Sequence, residues 1–98
     1  MALTAITTGT RNTGVGNNAI NTATTASYNT AVGAGALAAS SSGHSNTAIG
    51  EDSLDANTTA SYNTAVGRNS LGAATTGGDN TALGYGTLSG VTTATGNT

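Results

Sequence analysis

One pentapeptide returns every 17 residues, and no other property limits the possible folds of this chain as tightly. Asn-Thr-Ala-Val-Gly stands at Asn29 to Gly33 and again at Asn63 to Gly67. Close variants start at Asn12, Asn46 and Asn80, and Asn97-Thr98 opens one more copy on schedule. A fixed period with one apolar signature per copy is what a chain shows when each repeat is a single supersecondary unit stacked on the one before. Counted from the Asn, residues 1-98 form one repeat domain: a partial repeat 1-11, repeats 12-28, 29-45, 46-62, 63-79 and 80-96, and a partial 97-98.

The columns of the repeat carry the structural information. Position 1 is Asn12, Asn29, Asn46, Asn63 and Asn80, and position 4 is Val15, Val32, Ile49, Val66 and Leu83. Position 5 is glycine throughout, at Gly16, Gly33, Gly50, Gly67 and Gly84, which reads as a turn. Position 9 is a large aliphatic in six copies, Leu3, Ile20, Leu37, Leu54, Leu71 and Leu88. Positions 6, 7, 10, 16 and 17 vary freely and hold the charges, the tyrosines and the only histidine, so they read as outward-facing.

Positions 2 to 4 alternate as a short strand, with 2 and 4 on one face and 1, 3 and 5 on the other. The Val column makes the face of positions 2 and 4 the expected interior of the coil. The opposite face holds only Asn, Ala and Gly, which allows close approach of another backbone. The Thr-Thr segment at positions 13 and 14 reads as a second strand by β-branching. Between the two strands, position 9 reads as a turn that drops an anchor inward, since six residues with one large apolar side chain make a poor helix. The fold class is therefore all-β, a β-solenoid with 17-residue coils. Coils about 4.8 Å apart give a rod on the order of 28 Å, with Val, Leu, Thr and Asn in ladders of like over like.

Composition bounds the partners. There is no Cys, Phe or Trp, and the formal charge of −2 comes from only six charged side chains. Arg11 and Arg68 are the only Lys or Arg residues, too few for phosphate-backbone binding, so nucleic acid is not an expected partner. No apolar run reaches membrane-spanning length, and Met1-Ala2-Leu3-Thr4-Ala5-Ile6 lacks the basic and apolar regions of an export leader. Two large aliphatics per coil are little to set against the ordering of 17 residues. The expectation is therefore a homo-oligomer that packs several coils around a common axis with the Ala and Gly face inward. Neither end shows an atypical capping repeat, so another copy or a further fibre segment is expected to cover it.

Thr30-Ala31-Val32-Gly33 and its sister copies resemble the Val-Ala-Ile-Gly repeats in the heads of trimeric autotransporter adhesins of the YadA type. The fuller 17-residue form looks more like repeat arrays of bacteriophage tail fibres and related bacterial surface fibres. The adhesin-head repeat is usually shorter than this one. The resemblance covers nearly the whole chain and implies a left-handed, homotrimeric β-roll or β-helix segment that displays or performs attachment.

Side chains that carry chemistry are few. His44 stands alone at position 16 without a Ser and Asp to use it, and reads as an exposed loop residue. Glu51, Asp52 and Asp55 share one coil and are the only carboxylates grouped for a weakly held calcium; a solvated turn is the preferred reading, and no metal, cofactor or catalytic residue is expected. Arg68 follows Glu51 in one column and is expected to pair with it. Gly14-Val15-Gly16 and Gly84-Tyr85-Gly86 lack the setting of a phosphate loop and read as turn glycines. Asn57-Thr58-Thr59 matches a glycosylation sequon. Tyr28, Tyr62 and Tyr85 are the candidates for surface recognition.

The function expected is non-catalytic: a structural shaft or attachment element of a phage tail fibre or bacterial surface adhesin, on a virion or cell surface. Its partners would be copies of itself and a host-surface glycan or protein receptor. A subunit that stacks head to tail into an extracellular filament is the alternative. An ice-binding solenoid is a minor one, weakened because the Thr rank of position 2 shares its face with Val and is expected to point inward.

Overall fold

The computed structural model describes residues 2-3 and 7-98; most of the segment read for an export leader, namely Met1, Thr4, Ala5 and Ile6, lies outside them. Five three-residue strands, β1 (Thr13–Val15), β2 (Thr30–Val32), β3 (Thr47–Ile49), β4 (Thr64–Val66) and β5 (Thr81–Leu83), form one parallel sheet in chain order. Every strand pairs with its copy 17 residues on, Thr over Thr and Val over Val, Ile or Leu. The chain is thus a β-solenoid of about four turns, and its longest dimension is 31 Å. The Val15, Val32, Ile49, Val66 and Leu83 column is continuous.

The column is not inside. Val15 is 55% exposed and Leu83 75%, whereas Ala31, Ala48 and Ala65 beside them are fully buried. The expected facing is therefore reversed. The Asn and Ala columns line the coil's own interior, not a surface turned toward neighbouring chains, and Thr and Val point out.

The cause is the asparagine. Its amide must be inside, because its Nδ2 donates to the carbonyl of position 15 in the same coil, as in Asn29 to Gly43 at 2.8 Å and Asn63 to Gly77 at 2.9 Å. Its Oδ1 accepts the backbone N–H of the next asparagine, as from Asn46 to Asn29 at 2.8 Å and from Asn80 to Asn63 at 3.0 Å. Alternation then sends position 3 inward and positions 2 and 4 outward.

The interior has room for one large side chain per layer, and position 9 fills it. Ile20, Leu37, Leu54 and Leu71 are fully buried, stacked by bonds such as Leu37 N–H to the Ser53 carbonyl, 3.0 Å. All of them hold φ between 48° and 53°, a left-handed conformation that costs a non-glycine residue on the order of 1 kcal/mol. Positions 7 and 17 turn corners in the same region, for example Asn18, Asp52 and Asn69, and Tyr28, Tyr62 and Asp79.

The Thr-Thr segment is not a second strand. Carbonyls at position 13 each collect several donors from the coil before, so that the N–H groups of Thr75, Thr76 and Gly77 all converge on the Thr92 carbonyl. Hydroxyls join them, as Thr7 and Thr58 donate to the Thr24 and Thr75 carbonyls at 2.9 and 3.2 Å. Convergence on one acceptor replaces the evenly spaced ladder a strand requires.

At position 5 the coils touch backbone to backbone. A Cβ on Gly50 would stand 2.6 Å from the Gly67 carbonyl carbon, and φ there is 130°. Gly50→Ala is therefore expected to destabilise by about 3 kcal/mol or more. Gly90→Ala, with nothing within 4 Å, should be near neutral in the same urea titration. Asn63→Ala leaves the Gly77 carbonyl and the Asn80 N–H without their partner and is expected to cost about 3 kcal/mol. Asn12→Ala, in the partly buried first rung, should cost less; equal losses would separate stability from the buried ladder.

Candidate interaction surfaces

The sheet face is a regular surface of five strands. Thr13, Thr30, Thr47, Thr64 and Thr81 form one rank and the aliphatic column the other, on five strands in exact chain order, with no charged side chain in either column. Val32 and Ile49, within the sheet, are 37% and 40% exposed. The face is thus half hydroxyl and methyl, half aliphatic, and it is supported from behind by stacked alanines. Hydrophobic side chains repeated along one direct line differ from the scattered exposed aliphatics of an ordinary surface.

The three tyrosines do not come together. Tyr28 is covered from one side by Arg11, whose Nη1 donates to the Tyr28 hydroxyl at 2.9 Å and whose guanidinium carbon lies 5.3 Å from the ring centroid. Tyr62 lies two coils on at the same corner and is 65% exposed. Tyr85 is at a different corner, where it borders a groove of about 600 Å³ together with Asp55, Asn69 and Ser89. Position spacing alone could not reveal that groove, because it is formed where side chains are missing, at Gly72 and Gly86.

His44 has a structural task. Its Nδ1 accepts the Ser27 N–H at 3.1 Å, and its own N–H donates to Ser61 Oγ at 2.9 Å. Thr10 N–H to Ser27 Oγ, 3.0 Å, is the preceding rung. The imidazole therefore replaces a serine hydroxyl as the acceptor in a position-16 ladder.

Glu51 and Arg68 pair as expected, Nε to Oε2 at 3.4 Å with both side chains more than half exposed, an interaction worth about 0.2 to 1 kcal/mol. Among the described residues no group of three His, Cys, Asp or Glu side chains is placed to hold a metal. Asn57 is fully buried, with Oδ1 accepting from Ala60 N–H and Nδ2 donating to the Ala60 carbonyl. The sequon asparagine is thus occupied within the fold. Gly14 lies within β1 against Leu3 and is not a turn glycine, while Gly16, Gly84 and Gly86 have positive φ. No described helix is long and apolar enough to cross a membrane.

Comparison with protein-family models, with curated proteins and with solved structures finds no match to this chain. Surface chemistry is what remains to assign a role.

Asp55 stands out within that chemistry. Partial burial raises its carboxyl above the ordinary aspartate value of 3.8, and the neighbouring Asp52 charge adds to the effect, against hydrogen bonds from the backbone of Asp55 and Ala56. A carboxyl whose folded pKa is raised contributes stability that is fully present below the unfolded value and is lost as the pH rises through the folded one. The difference in unfolding free energy between the wild type and Asp55→Asn should therefore favour the wild type more at acid than at neutral pH. Parallel urea titrations across that range check this, and a pH-independent difference would contradict it.

Proposed function

We propose that the chain is a non-catalytic segment of an extracellular fibre, a structural shaft or attachment element on a virion or cell surface, and that it assembles as a left-handed homotrimer. The observation that carries the reading is the outward column Val15, Val32, Ile49, Val66 and Leu83. One chain buries a single large aliphatic per coil and leaves the other in water, which is an unfavourable use of scarce apolar surface unless a partner covers it. Three copies of an uncharged sheet face, set around a common axis, would bury the column and leave the variable corners outside to meet a receptor. The resemblance of Asn-Thr-Ala-Val-Gly to trimeric adhesin heads and tail-fibre arrays supports the same arrangement.

Size-exclusion chromatography with light scattering tests it. A discrete species of three 9.3 kDa chains is expected, and Ile49→Asp should convert it to monomer while circular dichroism retains the solenoid. A concentration-dependent high polymer would favour head-to-tail stacking instead. That alternative has the recess of about 500 Å³ over the last coil, lined by Ala82, Leu83 and Leu88, as its contact surface.

One observation favours a second reading. The Thr rank faces outward, which removes the objection to ice binding that an inward rank would raise. A charge-free lattice of threonine hydroxyls and methyls in direct register is suited to ordered water. A monomer with thermal hysteresis at micromolar concentration would replace the fibre reading with this one.

A further inference from the structure

The groove beside Tyr85 is built within one chain, at a corner of the coil and not on the sheet face. Its floor is bare where Gly72 stands in a column that holds Asn21, Ala38, Asp55 and Ser89, and Gly86 in one that holds Asn18, Gly35, Asp52 and Asn69. A Cβ on Gly72 would stand 3.4 Å from Asp55 Oδ1, in the space over the carboxylate, and a Cβ on Gly86 would meet nothing within 4 Å. The Tyr85 ring is 73% exposed.

We propose that this groove binds a neutral hexopyranoside, whose apolar ring face lies on Tyr85 while adjacent hydroxyls are held by Asp55 and Asn69, with Ser89 at the rim. Sugars ask for this combination. A pyranose presents C–H groups on one face, which an aromatic ring accepts, and vicinal hydroxyls around its edge that each donate and accept. A carboxylate takes two such donors, and an amide supplies both a donor and an acceptor. The groove offers a few polar groups beside one exposed aromatic ring, the combination that orients a small ligand.

Charge selects among sugars. Asp55 lines the groove and feels the charge of Asp52, while Arg68, one coil before Tyr85 in the same column, pairs with Glu51. Uronates and phosphorylated sugars are thereby repelled. The reading deepens the attachment role and rests on it only for the surface that would carry the sugar.

Titration of the wild-type protein with methyl β-glucopyranoside, methyl β-galactopyranoside and methyl α-mannopyranoside, followed by amide NMR, tests the site. At least one should shift Asp55, Asn69, Gly72, Tyr85 and Gly86 saturably, with a dissociation constant on the order of 1 to 10 mM, and methyl β-glucuronide should not. Tyr85→Ala and Asp55→Asn should each weaken binding about tenfold, with circular dichroism unchanged. The proposal is overturned if no neutral glycoside binds, if the glucuronide binds equally, if shifts centre on Tyr28 or Tyr62, or if Tyr85→Ala keeps full affinity. Light scattering on the same sample separates the two ideas: a trimer that binds no sugar refutes the groove alone, and a monomer that binds one refutes the trimeric fibre alone.

Discussion

A buried primary amide sets the geometry of every coil. An asparagine side chain removed from water must satisfy both its donor and its acceptor or lose more than the fold can spare. Here the donor reaches a carbonyl 14 residues on, which closes the coil, and the acceptor takes the N–H of the asparagine 17 residues on, which fixes the height of the next coil. Closure and stacking are therefore determined by the same atoms. Deviation in either would leave a buried polar group unpaired.

Other constancies follow from that one. Once the amide is inside, alternation places a small side chain at position 3 in the same interior, and at position 5, nearer the surface, the coils approach until glycine meets glycine. So thin a coil admits one leucine per layer, and the leucine is accepted in a left-handed backbone because the same corner that strains it also aims it at the axis. Hydrophobic burial is repeated in small amounts and polar satisfaction is nearly complete. Among the described residues, Ser40 Oγ is the one buried side-chain atom without a partner. Stability in such a chain is summed over layers, each resting on its neighbours.

The period, the strand at positions 2 to 4, the parallel register and the Glu51–Arg68 pair were all legible in the sequence, because each depends only on like residues recurring at a fixed distance. The facing of the strand was not. The usual rule that aliphatics go inside placed Val15 and its column in the core, whereas the decisive signal was the invariant Asn beside Ala and Gly, the residues a narrow interior can hold. Nor could the Thr-Thr segment be read correctly: β-branching favours a strand locally, but Thr75 and Thr76 share one acceptor in the next coil, a tertiary arrangement that propensity does not contain. The groove at Asp55 and Tyr85 escaped notice because these residues are 30 positions apart and the space between them is defined by two glycines.

Constant and variable columns divide the work of the molecule. Asn, Gly and Leu build the rod and tolerate little change, while positions 6, 7, 10, 16 and 17 lie on its corners. The histidine shows how far such a corner can be rewritten: His44 Nδ1 takes the place of a serine oxygen in its ladder, and the rungs on either side persist. At position 16 Ser27, His44 and Ser61 offer a side-chain acceptor to the coil before, and Gly78 offers none. Recognition chemistry can then be exchanged coil by coil with the asparagine ladder undisturbed, and a rod of this kind can hold its shape while its outer edge is altered one layer at a time.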